Sequence, residues 1–399
     1  MLVGEPRITE ENGEICVSAD VRVDTPGLEM PKTLWFRFPA DYRDYINEGS
    51  DGFAAAMLPV AMLLGEDLRV EGRVSPRLAY GMREFQTAYH QWWPGVFSLA
   101  GFEFGEVARE SRPRAGNAVG CTCSGGIDSF YSIWKHMPRN ETVPELRLTH
   151  CLIVNGFNFD VDPDRTMGFP KVYETYEPVL RRNGVSLLVA RHNAQAFLEA
   201  TGKVKQTSPT LDVGIVSALL MLGNLYRYFY FPGGATYRYE ENFPHGFHPS
   251  TLHLLSSDDT EIIFDGGDAT RTEKTARVAA WEDTYPVLRV CWRPTVFNEK
   301  TGFVENCCRC PKCVRTMLTL EAAGALSKYR TFPLPLDRTL VRASQQVSVD
   351  EKLFYFDLVE FARKQGRADI VRDLRYARLR SRLIAAVQHR ILRRRRPAH

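Results

Sequence analysis

The chain has neither a G-x-x-x-x-G-K-[ST] phosphate loop nor a G-x-G-x-x-G turn, which excludes two familiar glycine-rich nucleotide cradles. Its amino end, MLVGEPRITEENGEI, has no basic segment leading into an apolar core, so no signal peptide is expected. The most apolar helical stretch, VSALLMLGNL around Val216–Leu225, falls far short of a membrane span. No internal repeat is evident. Cysteine is sparse over most of the sequence, yet four of the nine crowd between Cys307 and Cys313. An odd count crowded in this way, in a chain without a secretion signal, points to metal binding rather than disulfides and to a cytoplasmic protein.

What is there is a chain of 399 residues, 44% hydrophobic and 25% charged, ordinary for a globular protein and long enough for two or three domains. The formal charge of +3 hides an asymmetry. Residues 363–396 carry thirteen Lys/Arg against two Asp, a balance of +11, so the rest of the chain stands at −8. A basic tail ending in RRRRPAH follows a mildly acidic body.

Three regions are expected. Residues 1–114 read as an α+β domain, with strands EICVSADVRV and TLWFRF and a helical FAAAMLPVAMLL. The aromatic-rich LAYGMREFQTAYHQWWPG follows, and Tyr89, Trp92 and Trp93 suit a packed core better than a ligand surface. ARESRPRAGN reads as a linker. Residues 115–330 alternate apolar runs such as AVGCTC, LTHCLIVNGF, VSLLVAR and YRYFYFPGG with helical patterns. The expectation is an α/β fold, a parallel sheet with helices on both faces and ligands beyond the carboxyl ends of its strands. Residues 331–399 read as a helical extension with an Arg-rich tail.

SGGIDS, beginning at Ser124, stands between the first of these strands and a helix. Gly125 and Gly126 permit backbone angles closed to other residues, and N–H groups at a helix start form an anion cradle. Ser124 and Ser129 add hydroxyls; a tight turn with Asp128 satisfying local N–H groups is the plainer alternative. The stretch resembles the S-G-G-x-D-S signature of the PP-loop ATP pyrophosphatases. That superfamily includes asparagine and GMP synthetases, tRNA-thiolating enzymes and 7-cyano-7-deazaguanine synthase. The resemblance implies ATP cleaved between the α- and β-phosphates, with AMP transferred to a substrate oxygen. It further implies that Ser124, Gly125, Gly126, Asp128 and Ser129 bind the β/γ-phosphates and Mg²⁺, Asp128 helping to position the metal.

In ENCCRCPKCVRTM, Cys307, Cys310 and Cys313 have the C-x₂-C-x₂-C spacing that lets thiolates on tight turns converge on one metal. A fourth ligand is needed. Cys291 is the preferred candidate and Cys308 the local competitor. A ferredoxin-type cluster would need cysteine where Met317 stands, which favours Zn²⁺. This knot is similar to that of 7-cyano-7-deazaguanine synthase, although Cys308 stands where that family usually has Gly and Cys291 lies farther upstream than its fourth ligand. Muramoyl-peptide glutamate epimerases, which pair a PP-loop with a C-x₂-C-P-K-C-like knot, are similar too. The resemblance covers roughly residues 117–325.

Weaker signals lie between the motifs. Arg271 and Lys274, three apart at a helix start, are candidates to meet phosphate oxygens. The resemblance to PP-loop enzymes, which commonly have a basic residue near this point, makes Lys274 the preferred neutraliser of a leaving pyrophosphate. A solvated helix face is the alternative. Asp265 and Asp268 fit Mg²⁺ or turn chemistry. His245 and His248 fit acid/base roles near neutral pH, with structural roles favoured. The expected function is adenylation of a carboxylate or amide oxygen of a small molecule, for amidation, ligation or epimerisation. A tRNA-modifying enzyme using the tail for phosphates and a regulatory nucleotide-binding protein are the rivals. RNA, an anionic surface, an acidic partner and a second copy of the chain are the partners considered.

Overall fold

The structure is a computed structural model, and it describes residues 1–155, 169–203, 213–240, 246, 248–291, 297–298, 300, 303–344 and 349–394. It forms two compact units, residues 1–124 with 132–268, and residues 125–131 with 269–399.

The first unit is built on one sheet of eleven strands, mostly parallel and flanked by helices. Its amino-terminal strands are β1 (Leu2–Val3), β2 (Arg7–Glu11), β3 (Glu14–Arg22), β4 (Thr33–Pro39), β5 (Leu68–Val74) and β6 (Phe102–Val107), with helices α1 (Asp51–Leu64) and α2 (Pro76–Trp92). There follow β7 (Ala118–Thr122), α3 (Ile127–His136), β8 (His150–Asn155), α4 (Phe169–Arg182), β9 (Ser186–His192), α5 (Ala194–Ala200), α6 (Val213–Leu220) and β10 (Tyr226–Pro232). The short α7 (Tyr237–Glu240) and α8 (Pro249–Leu252) precede β11 (Glu261–Asp265). The first turn of α3 belongs to the second unit and the remainder to the first.

Side-chain periodicity accounts for the layers. β3 alternates buried Ile15, Val17, Ala19 and Val21 with more accessible neighbours, as in an antiparallel strand with one covered face. β7 and β8 are almost continuously buried, as in parallel strands covered on both sides. α1 is apolar all round and buried through Leu63. It passes so close to α6 that a Cβ on Gly52 would meet the Ser217 carbonyl oxygen at 2.6 Å.

The sheet order is β11-β10-β7-β8-β9-β4-β3-β1-β5-β6, with β2 paired to β3. The five strands from β7 to β11 are mutually parallel, and β9-β8-β7-β10-β11 is the doubly wound order 3-2-1-4-5. The order therefore reverses between β7 and β10. The texture change near residue 114 does not coincide with a break in this sheet. β4 pairs antiparallel with β9, and Asn193 fastens the join, its Oδ1 accepting from Trp35 N–H at 2.9 Å and its Nδ2 donating to the Thr33 carbonyl at 2.9 Å. Residues from both sides of 114 share one apolar core, including Tyr89, with Trp92 and Trp93 packed against it.

The second unit contains α9 (Arg271–Ala279), the hairpin β12 (Phe297–Asn298) and β13 (Phe303–Val304), and α10 (Pro311–Ala322). Its carboxyl half is α11 (Arg338–Ala343), α12 (Val349–Lys364) and α13 (Ala368–Arg394). A capping box starts α9, Thr270 Oγ1 accepting from Glu273 N–H and Glu273 Oε2 accepting from Thr270 N–H. Val314 and Leu318 of α10 share a core with Val341, Leu358 and Leu374, so residue 331 is not a boundary of packing either. Among the described residues, no helix is long and apolar enough to cross a membrane.

Candidate functional site

β7 delivers the chain into the Ser-Gly-Gly turn from its carboxyl end, at the strand where the sheet order reverses. Ser124 is exposed. Gly125 has φ +71°, a left-handed conformation that a Cβ would strain, and its carbonyl accepts the Arg289 N–H at 2.8 Å. The Gly126 carbonyl accepts from Phe130 N–H at 3.0 Å and from Ser129 Oγ at 3.1 Å, closing the first turn of α3. Ser129 is buried, so one use of its hydroxyl is helix closure.

α9 answers that first turn with two cations. Arg271 Nη1 lies 2.6 Å from Asp128 Oδ2. One turn on, the fully buried Lys274 places Nζ 5.7 Å from the centre of the Tyr131 ring. Asp128 and Tyr131 are three apart on α3, and Arg271 and Lys274 three apart on α9, so the contacts repeat with the helical period. Lys274 is therefore not on a solvated face. The other oxygen of Asp128, Oδ1, is buried and has no hydrogen-bond partner among the described residues, which suits it to accept a proton donor or a cation.

Lys312, between two cysteines of the knot, was not singled out by sequence reasoning. Burial lowers its ammonium to a pKa of about 8; the charges of Arg271 and Arg315 act in the same direction, and those of Asp128 and Cys310 oppose them. The knot thus carries a third cation into the surroundings of Asp128 and Arg271. Its only signal in the sequence was its place within C-P-K-C.

The four sulfurs of Cys291, Cys307, Cys310 and Cys313 lie within 4.8 Å of one another and could hold a metal ion. Cys307 and Cys313 are separated by 3.8 Å and Cys291 and Cys310 by 4.0 Å. A disulfide needs about 2.05 Å. Four sulfurs about 2.3 Å from a tetrahedral zinc stand roughly 3.8 Å apart, so the set fits that ion. Cys310 caps α10, its sulfur accepting from Cys313 N–H at 3.5 Å, and Cys310 N–H donates to the Cys307 sulfur at 3.2 Å. These donors and the helix dipole favour thiolates. The hydrogen bond to Cys310, burial and the neighbouring cysteines push the Cys313 thiol well up.

The fourth position falls to Cys291. Cys308 turns away, its sulfur 3.4 Å from the Asn306 carbonyl, and its φ of +56° is the left-handed conformation in which Gly is at ease. Asn306, also missed in the sequence, joins the upstream cysteine to the triplet. Its Oδ1 accepts from Val290 N–H at 2.8 Å and Cys291 N–H at 3.2 Å, while its Nδ2 donates to the carbonyls of Leu288 at 2.9 Å and Thr331 at 3.2 Å.

The remaining candidates lie in the first unit. Asp265 is buried, with Lys135 Nζ at 2.9 Å, His136 Nε2 at 3.0 Å and Ser132 Oγ at 2.5 Å. Burial alone would raise its pKa, but the hydrogen bond and charge of His136, aided by Lys135, hold it well below the usual carboxylate range. Asp268 lies 3.3 Å from Lys135 Nζ. Both carboxylates are thus engaged by cations. His248 is buried, caps α8 by accepting from Ser250 N–H at 3.2 Å, and meets Trp92 edge-on at 4.9 Å. His245 lies outside the described residues. No family model, curated protein or solved structure matches this chain.

Proposed function

We propose that the protein is an ATP-dependent, AMP-forming enzyme that adenylates a carboxylate or amide oxygen of a small-molecule substrate. The observation that carries this reading is the position of the Ser-Gly-Gly turn, which leaves the strand at which a doubly wound sheet reverses its order. The left-handed Gly125, the start of α3 and the cations Arg271, Lys274 and Lys312 support it, because together they suit a polyanion.

On this reading the N–H groups of Gly125 and Gly126, with the hydroxyls of Ser124 and Ser129, bind the β- and γ-phosphates. Asp128 Oδ1 would hold the Mg²⁺ that accompanies ATP, and the ion would neutralise phosphate charge. The substrate oxygen attacks the α-phosphorus; a new O–P bond forms as the bond to the β-phosphate bridging oxygen breaks, and pyrophosphate departs. Arg271 and Lys274 stabilise the charge that gathers on that leaving group, so catalysis rests on positioning and electrostatics. The adenylate is then captured by ammonia or another nucleophile, or loses an adjacent proton on the way to epimerisation. Zn²⁺ on Cys291, Cys307, Cys310 and Cys313 would be structural, because four thiolates leave no open position.

The test is release of AMP and pyrophosphate from ATP and Mg²⁺ across a panel of carboxylates, amides and tRNA, with Ser124→Ala and Arg271→Gln alongside. Substrate-dependent pyrophosphate that falls by roughly a hundredfold in Arg271→Gln would support the reading. ADP and phosphate as products would overturn it, and ATP binding without any release would favour a regulatory protein.

A further inference from the structure

The Arg-rich carboxyl region plays no part in the site above, and its described portion has an unusual distribution of side chains. α13 packs inward through Ile370, Val371, Leu374 and Ala377, all buried. It also has an outward apolar stripe. Tyr376, Leu379 and Leu383 are 56%, 59% and 61% exposed, and their three- and four-residue spacing sets them on one face. Half-exposed Phe356 of α12 adds to the apolar surface, with the Arg378 guanidinium 4.3 Å from its ring centre.

The charges are sorted as well. The two acidic residues of α13 are engaged by arginines from outside it. Asp373 pairs with Arg338 and, at 2.8 Å, with Arg342; Asp369 pairs with Arg338 at 2.9 Å and Arg367 at 3.0 Å. Arg372, Arg375 and Arg382 are exposed, and no carboxylate pairs with them among the described residues. The sequence then adds Arg390 and the run from Arg393 to Arg396.

We propose that this outward face of α13 docks on an anionic membrane surface. Exposed aliphatic and aromatic side chains on a helix beside unpaired arginines have the chemistry of the headgroup boundary. The apolar stripe enters the acyl region, and the guanidinium groups reach lipid phosphates. Nucleic acid would engage the arginines and stack on Tyr376, but would leave Leu379 and Leu383 in water. A second copy could cover the leucines only by bringing like charges together.

The experiment is flotation of the full chain with phosphatidylcholine vesicles and with vesicles that also contain phosphatidylglycerol. The expected result is binding to the anionic vesicles alone, weakened by salt. Leu379→Ser combined with Leu383→Ser should lower it roughly tenfold with the melting temperature unchanged, since both side chains are exposed. Arg375→Gln combined with Arg382→Gln should lower it and flatten its salt dependence. Three results would overturn the proposal: no binding to anionic vesicles, binding indifferent to the leucine pair, or a dimer in solution that the leucine pair dissociates. Tight binding of an RNA oligonucleotide, lost in the arginine pair and indifferent to the leucine pair, would replace it with a nucleic-acid surface.

Discussion

The two compact units are held together by different physics. In residues 1–124 and 132–268, order comes from apolar packing over a large sheet, with α1 buried nearly end to end and β7 flanked by the largely buried β8 and β10. In residues 125–131 and 269–399 the apolar core is smaller, and much of the specification is polar: four thiols, Asn306, the Asp128–Arg271 pair and the arginines around Asp369 and Asp373. The first kind of structure tolerates exchange of one apolar group for another of similar volume; the second depends on a few specific partners.

The strongest way to break the comparison is to disable the four-cysteine group, which could hold a metal ion. Chelation, or Cys310→Ser, should abolish the ordered knot, because structural zinc contributes on the order of 10 kcal/mol to folding in small sites. Calorimetry with metal analysis should show the second unit's transition lost and the first unit's retained. Next in size is Asn306→Leu, which strands buried N–H and carbonyl groups around Cys291 and should cost about 3 kcal/mol, read as a lower melting temperature and faster metal loss to a chromophoric chelator.

The first unit should have an acid weakness of its own. His192 is fully buried, and burial lowers its pKa to about 4 from an ordinary value near 6.5. The unfolded chain therefore binds the proton more readily between those values, so stability should fall as pH drops from about 6.5 to 4, by on the order of 3 kcal/mol. Asp51, raised to about 6 by burial, acts in the opposite direction between its ordinary value and 6. Denaturant titrations of wild type and His192→Asn isolate the histidine; the variant should show a shallower acid limb whatever its stability at neutral pH. The smallest effect expected is at Cys308→Gly, which removes a left-handed non-glycine residue and should change stability by about 1 kcal/mol with the metal content intact.

The sequence carried the parts of the fold that depend on local period. The alternation after residue 115 became β7 to β11 with their helices, and the cysteine spacing became a four-sulfur group including Cys291. What it did not carry is non-local. The pairing of β4 with β9, and the Trp35–Asn193 bond across 158 residues, leave no mark on either strand's own pattern. The same holds for residues 125–131 joining residues 269–399. Arg271, Lys274 and Asp128 were visible one by one, but that Arg271 meets Asp128 and Lys274 meets Tyr131 follows only from the approach of α9 to residues 125–131. Lys312 and Asn306 are ordinary residues by composition; Asn306 takes its role from a buried position, and the half-buried Lys312 from desolvation and the charges around it.

The most direct test of the central claim is the product formed from ATP labelled at the α-phosphate, incubated with Mg²⁺, the zinc-loaded protein and a protein-free metabolite extract. The account predicts labelled AMP with an equal amount of pyrophosphate, depressed strongly in Arg271→Gln while the metal content stays full. Labelled ADP, or no turnover at all, would contradict it.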